Sequence, residues 1–199
     1  TKNTIYMETS EVTPQTLLRA YELGIFPMSE SHDDPEIFWV DPRSRGILPI
    51  DRFHVPRRLK RTVRSKRFEI TTDKDFRSII EGCAAYSDNR PKTWISRRII
   101  KLYTDLHNMG FAHSIECWRD GSLAGGLYGI ALGGIFFGES MICVWSLSLS
   151  LTLSSILREF LKFKSAKKNF FGESIICVWS LLSNSLFDFK RIFEIQICE

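Results

Sequence analysis

Three observations predict an α+β chain. Segments of helical period open on capping residues, short apolar strands lie between them, and a glycine-rich stretch from Leu123 to Met141 reads as a hairpin. In that stretch two apolar strands, Leu127–Ala131 and Ile135–Phe137, flank Gly133-Gly134, a pair suited to a tight turn. Gly125, Gly126 and Gly129 inside the first strand suggest close approach by another backbone or a ligand. The second strand delivers a carboxylate, Glu139, between Gly138 and Ser140. It is either a solvated strand end or a group positioned for chemistry.

The remaining elements follow from local signals. Thr13-Pro14 caps and opens a helix carrying Leu17, Leu18, Ala20, Tyr21 and Leu23, with Gly24 as its stop. Gly24 to Met28 reads as an extended loop, and the acidic run from Glu30 to Glu36 as a solvated one. Ile37-Phe38-Trp39-Val40 is a short strand ended by Asp41-Pro42-Arg43, its tryptophan suited to a core. Ile47–Ile50 is another, with Pro49 favouring an edge or a strand end. Phe68–Thr72 alternates as a strand, and Asp73 is the expected cap of a helix carrying Phe76, Ile79, Ile80 and Cys83. Thr93-Trp94-Ile95-Ser96 leads into a helix with Ile99, Ile100, Tyr103, Leu106 and Met109 on one side, stopped by Gly110. Ala112–Trp118 is a strand, and Asp120-Gly121 turns it into the hairpin. His113, alone in that strand, reads as a hydrogen-bonded structural residue.

Charge is informative by its placement. The net charge is only +4, yet Arg52, Arg57, Arg58, Lys60, Arg61, Arg64, Lys66 and Arg67 follow one another with no acid between them. With Pro56 in a first helical turn, Arg57, Lys60, Arg61 and Arg64 share one face at i, i+3, i+4, i+7. A face of one sign repels itself unless an anion neutralises it, and without an apolar face for membrane insertion the favoured partner is nucleic acid.

Composition excludes several classes. A hydrophobic fraction of 44% and a charged fraction of 25% fit a globular protein with a buried core. The five cysteines, odd in number and without a Cys-x-x-Cys pair, argue against a disulfide framework or a zinc site and suit a reducing cytoplasm. Thr1–Ser10 lacks the build of a signal peptide. Ser140–Leu157 carries no charge, but its serine-rich, period-two pattern is unsuited to a membrane span.

From Thr13 to Met141 the chain resembles the bacterial leucyl/phenylalanyl-tRNA–protein transferase family. The resemblance rests on several strings in register: Leu17–Met28, Phe38-Trp39 with Asp41-Pro42-Arg43, Phe53–Arg57, Glu81–Ala84, Thr93-Trp94-Ile95, Leu106–Ser114, and Gly125–Gly129 with Phe136–Met141. It implies a small N-terminal α/β domain (residues 1–67) packed on a GNAT-like acyltransferase domain (residues 68–199). It also implies transfer of Leu or Phe, with Met as a further candidate, from its tRNA to a protein with N-terminal Arg or Lys, marking that protein for degradation. By this match Trp39, Trp94, Tyr103, Leu127 and Phe136 would bind the aminoacyl group and the terminal adenosine. Glu139 would orient or deprotonate the attacking amine, or bind the acceptor's charge. Arg57, Lys60, Arg61 and Arg64 would hold tRNA phosphates. No cofactor, metal or membrane partner is implied, and a cytoplasmic monomer is expected. Acetyl-CoA use is disfavoured, since no Arg/Gln-x-x-Gly-x-Gly/Ala loop is present to cradle a pyrophosphate.

After Met141 the resemblance stops. Phe136–Leu147 recurs almost letter for letter at Phe170–Leu181, and residues 142–199 lack the family's later strings. The expected acyltransferase domain is therefore incomplete or altered beyond residue 141, with Ile156–Lys164 as a further helix-like stretch. An inactive remnant that retains at most tRNA binding is the alternative reading.

Overall fold

The computed structural model describes residues 3–6, 12–42, 45–49, 57–86, 92–143, 176–179 and 196–198. In chain order these form β1 (Asn3–Tyr6), α1 (Pro14–Glu22), β2 (Phe26–Met28), β3 (Phe38–Asp41), β4 (Arg45–Pro49), α2 (Arg57–Arg64) and β5 (Glu69–Thr72). They continue with α3 (Phe76–Ala84), α4 (Arg97–Asn108), β6 (Ala112–Arg119), β7 (Ser122–Leu132), β8 (Ile135–Cys143), β9 (Ile176–Trp179) and β10 (Gln196–Cys198). The architecture is α+β, as expected.

Helix ends follow the capping chemistry. Thr13 accepts from the Thr16 amide at 3.2 Å and Pro14 occupies the first turn of α1. Ser96 caps α4, and its hydroxyl also receives a 2.9 Å hydrogen bond from Ser29. The cap of α3 is a correction: Asp75, not Asp73, accepts from the Ser78 amide, at 3.1 Å. Asp73 instead adopts φ +57° and turns to β6, where its carboxylate accepts from the Ser114 amide at 2.9 Å and meets His113 Nδ1 at 2.8 Å. Two aspartates two residues apart both have capping chemistry, and the tertiary contact decides between them. His113 is hydrogen-bonded as expected. Gly24–Met28, expected as loop, contributes β2, paired with β3.

Two sheets form, β1-β3-β2 and β10-β4-β9-β8-β7-β6-β5. In the larger sheet the turns Asp120-Gly121 and Gly133-Gly134 all carry positive φ, the geometry of tight hairpins, so β6, β7 and β8 run as a meander. Both hairpin strands are longer than the apolar letters indicated, because polar and glycine residues at their ends still complete backbone pairing. β9 comes from the second copy of the repeated segment and runs parallel to Phe136–Gly138 of the first copy. The sheet beyond β8 is thus continued by β9, β4 and β10. The helix-like stretch Ile156–Lys164 lies outside the described residues.

Cross-strand register assigns the faces of the sheet. Ser114, Glu116, Gly126, Tyr128, Ile130, Phe137 and Ser140 stand on one side, where Ile79 of α3 closes on Gly126. Leu127, Gly129, Phe136 and Met141 stand on the other. The covered face belongs to a core that joins Leu17, Tyr21, Trp39, Ile79, Ile99, Tyr103, Leu106 and Tyr128. Each large apolar side chain buried there contributes about 1.5–3 kcal/mol. No helix of the described residues is long and apolar enough to cross a membrane.

Candidate functional site

A β-bulge sets the site. Along β7 and β8 Tyr128 stands opposite Ser140, and the next residue of β7, Gly129, stands opposite Gly138. The register therefore skips Glu139, the extra residue of β8. A bulge bends its strand and re-aims a side chain. Here it brings Glu139 to the helix-covered face, 7% exposed, so the carboxylate is not a solvated strand end. Gly129 makes the bulge possible, since a Cβ there would lie 2.2 Å from the Phe137 carbonyl oxygen and 2.6 Å from the Phe136 ring.

Two tyrosines meet this carboxylate. Tyr21 of α1 and Tyr103 of α4 hydrogen-bond through their hydroxyls, and both interact with Glu139. Each phenol has one proton to give, so one hydroxyl donates within the pair and the other is left to donate to the carboxylate. Burial first, and the Glu139 charge second, push both phenols well above the ordinary tyrosine value. Both stay neutral donors at physiological pH. Tyr128 packs edge-on against Tyr103 with centroids 5.4 Å apart, and Phe137 lies 5.1 Å from Tyr21. The result is a carboxylate held by two neutral phenols and walled by aromatic rings, able to accept a proton or to hold a cationic amine.

The other sequence-derived candidates are distributed. Trp39 on β3 is 1% exposed, and its indole Nε1 has no hydrogen-bond partner among the described residues. Trp94 packs against the same core, and its carbonyl accepts from the Ser29 amide at 3.1 Å. The structure joins Tyr103 directly to Glu139. Leu127 and Phe136 are buried on the opposite side of the sheet, so they do not share one wall with Tyr103. Arg57, Lys60, Arg61 and Arg64 are all exposed on α2, and no described residue forms an ion pair with any of them.

Tyr21 was not singled out as a site residue by the sequence. Its only local signal was a hydroxyl among the apolar positions of α1, and its partner is 82 residues away. A second polar network surrounds Glu116, fully buried in β6. Thr71 donates to it at 2.6 Å, Ser114 at 2.5 Å and the Asp75 amide at 3.3 Å, while Trp118 Nε1 donates to Thr71 at 2.8 Å. These bonds fix β5 and the start of α3 to the hairpin sheet. Among the described residues no group of three or more His, Cys, Asp or Glu side chains is arranged to hold a metal ion.

Comparison with known proteins gives a consistent result. Residues 47–165 match the family model for leucyl/phenylalanyl-tRNA protein transferase, and residues 10–43 match the model for the N-terminal domain of that family. The match thus runs past Met141. A leucyl/phenylalanyl-tRNA–protein transferase from Rhodopseudomonas palustris (strain TIE-1) is 59% identical over 132 residues, 66% of this chain and 59% of that protein. One from Nitrobacter winogradskyi is 57% identical over 135 residues, covering 68% of this chain and 60% of that protein. The chain therefore spans about three-fifths of the length of the curated relatives it matches. Among solved structures, a conserved protein of unknown function from Staphylococcus epidermidis aligns with a TM-score of 0.52 at 10% identity. That alignment covers 98% of this chain and 69% of the other, a likeness of fold.

Proposed function

Since the chain belongs to the leucyl/phenylalanyl-tRNA–protein transferase family, we propose that it transfers Leu or Phe, and Met as a further candidate, from aminoacyl-tRNA to the α-amine of proteins with N-terminal Arg or Lys. The observation that carries this reading is the buried Glu139 at the β8 bulge, held by Tyr21 and Tyr103. In this reading residues 1–67 form a small N-terminal domain and residues 68–199 a GNAT-like acyltransferase domain, with β4 of the first segment inserted into the larger sheet of the second. The protein acts as a cytoplasmic monomer and its product enters degradation.

The reaction needs little acid–base power. An α-amine has a pKa of about 7.7–8.0, so a useful fraction is neutral at pH 7. The aminoacyl ester is an activated acyl donor. The amine attacks the ester carbonyl, the new C–N bond forms, the C–O bond breaks, and the tRNA hydroxyl departs with the proton lost by the amine. Holding amine and ester in line supplies most of the acceleration. Glu139 orients the amine, accepts its proton and passes it to the departing hydroxyl, with the neutral phenols fixing the carboxylate. Trp39 and Trp94 provide aromatic surface for the acyl group and the unpaired terminal base. Leu127 and Phe136 act on the acyl pocket indirectly, by supporting β7 and β8 from the other side of the sheet. Arg57, Lys60, Arg61 and Arg64 engage tRNA phosphates without reading sequence.

The test is transfer of radiolabelled Leu or Phe from charged tRNA to a model protein beginning with Arg, beside Glu139→Ala and Trp94→Ala. Transfer that both substitutions weaken supports the reading. A folded chain that transfers nothing refutes it. The altered sequence after Met141 favours one further reading, a remnant that binds tRNA without transferring, and retained tRNA affinity in the inactive chain would establish it.

A further inference from the structure

A cleft of about 480 Å³ opens between α3, the first turn of α4 and the loop around His32, and none of its lining residues belongs to the Glu139 cluster. Its size falls in the usual range for small-ligand sites, roughly 300–1,000 Å³, and exceeds what a simple inorganic ion needs. We propose that this cleft is a nucleotide-binding site that takes a base carrying an amino group, with its phosphate at the rim.

The lining supplies each part of such a ligand. Tyr86 leaves the end of α3 with 56% of its surface exposed, although a large aromatic ring gains by being covered. Its ring meets His32 edge-on at 6.3 Å, which leaves a ring face for stacking. Ala84 and Ala85 beside it are small, so a flat base can lie close to the helix end. Stacking on an aromatic side chain suits any base, because every base has a π-face.

The rim carries Arg77 and Arg97, each in an ion pair that is open to solvent. Arg77 Nε engages one oxygen of Glu81, and Arg97 Nη2 lies 3.0 Å from Asp33 Oδ1. Ion pairs so open to solvent contribute little, so either guanidinium can turn to a phosphate at small cost. The other oxygen of Glu81 has no hydrogen bond among the described residues. On the wall of the cleft a carboxylate oxygen can accept from the amino group of adenine, cytosine or guanine, and it finds no such donor on uracil. An acidic peptide would bring several carboxylates against Glu81 and nothing to stack on Tyr86.

The ligand is either a free nucleotide or a nucleotide of an unpaired RNA end. Calorimetric titration of the full chain with AMP, CMP, UMP, ribose 5-phosphate and the trinucleotide ACC separates these sources. Saturable AMP and CMP binding is expected, at least tenfold tighter than UMP or ribose 5-phosphate. Tyr86→Ala should weaken AMP at least tenfold and Arg97→Ala several-fold, while Glu81→Gln should erase most of the preference over UMP. ACC binding more than tenfold tighter than AMP assigns the site to RNA, and equal affinity assigns it to the free nucleotide. Absence of saturable AMP binding, AMP binding indifferent to both Tyr86→Ala and Arg97→Ala, or tighter binding of an oligoglutamate peptide overturns the proposal. All readouts are affinities, so their failure leaves the transferase reading intact, and loss of transfer leaves this one intact.

Discussion

The hydroxyls of Tyr21 and Tyr103 hydrogen-bond one another across 82 residues of sequence and join α1 to α4 at the point where both phenols meet Glu139. The bond therefore couples the first helix of the chain to the bulge in β8. Tyr21→Phe and Tyr103→Phe should each lower stability by about 0.5–1.5 kcal/mol in urea unfolding. The double substitution should cost less than their sum, since both remove the same bond. Strict additivity would show that the hydroxyls act separately.

The same phenols give the chain an alkaline limit. Both are raised above the ordinary value, so an unfolded chain loses these protons near pH 10 while the folded chain keeps them. Their contribution is complete below about pH 10 and is lost as pH rises toward the folded values. Unfolding free energy should fall above pH 10 more steeply than in the Tyr21→Phe/Tyr103→Phe chain. Glu139→Gln keeps the size of the side chain and removes the charge. Absorbance at 295 nm should then show the two phenols ionising at lower pH than in the parent, still above the ordinary value because burial, the larger cause, is unchanged.

Gly129→Ala tests the bulge itself. The new methyl would stand 2.2 Å from the Phe137 carbonyl, a backbone atom that cannot swing aside, so β7 and β8 must separate. A loss of about 1–3 kcal/mol is expected in urea unfolding, as for overpacked core positions. Tyrosine fluorescence should change as well, since Glu139 would leave the phenols. An unchanged midpoint would show that the strands tolerate the methyl and that the close approach is not required.

How legible this was depends on how local each signal is. Thr13-Pro14, Gly133-Gly134 and Asp120-Gly121 act within a turn of chain, and each stands where its letters placed it. The basic face of α2 is equally local, since helical spacing alone puts four cations on one side. The bulge was not legible, because it exists only in the alignment of β7 against β8. Gly138 beside Glu139 and Gly129 across the turn are its faint traces. Alternation shows that Leu127 and Tyr128 point to opposite faces, but not which face the helices cover. That choice separates Leu127 and Phe136 from Tyr103, and it is made by Ile79 closing on Gly126. Tyr21 gave no sign of its role because its partners come from α4 and β8.

Asp73 carries an acid limit. Burial raises its carboxyl, but the His113 hydrogen bond and charge, with the Ser114 amide, outweigh burial and hold it below the ordinary aspartate value. The stabilisation is present above the unfolded value near 3.9 and is lost as pH falls through the lower folded value. Asp73→Asn tolerates the left-handed backbone at φ +57° and removes only the charge. It should cost about 1.5–3 kcal/mol at pH 7 and flatten the stability profile below pH 4. A profile as steep as the parent's would place the acid transition elsewhere.

The four exposed cations of α2 are tested by salt. Arg57, Lys60, Arg61 and Arg64 have no described acidic partner, so the face holds its charge against self-repulsion until an anion covers it. If each meets one phosphate, removing one lowers the slope of log K against log salt by about 0.7–0.9, the counterion release of a single contact. Lys60→Ala and Arg61→Ala should each show that decrement in tRNA binding, and together about twice as much. The effect should be the same for tRNAs of different sequence, because phosphates carry none. An Arg19→Ala chain, altered at an exposed cation of α1, should keep the parent slope. A slope unchanged by Lys60→Ala and Arg61→Ala would remove α2 from the RNA interface, whatever the chain does in transfer.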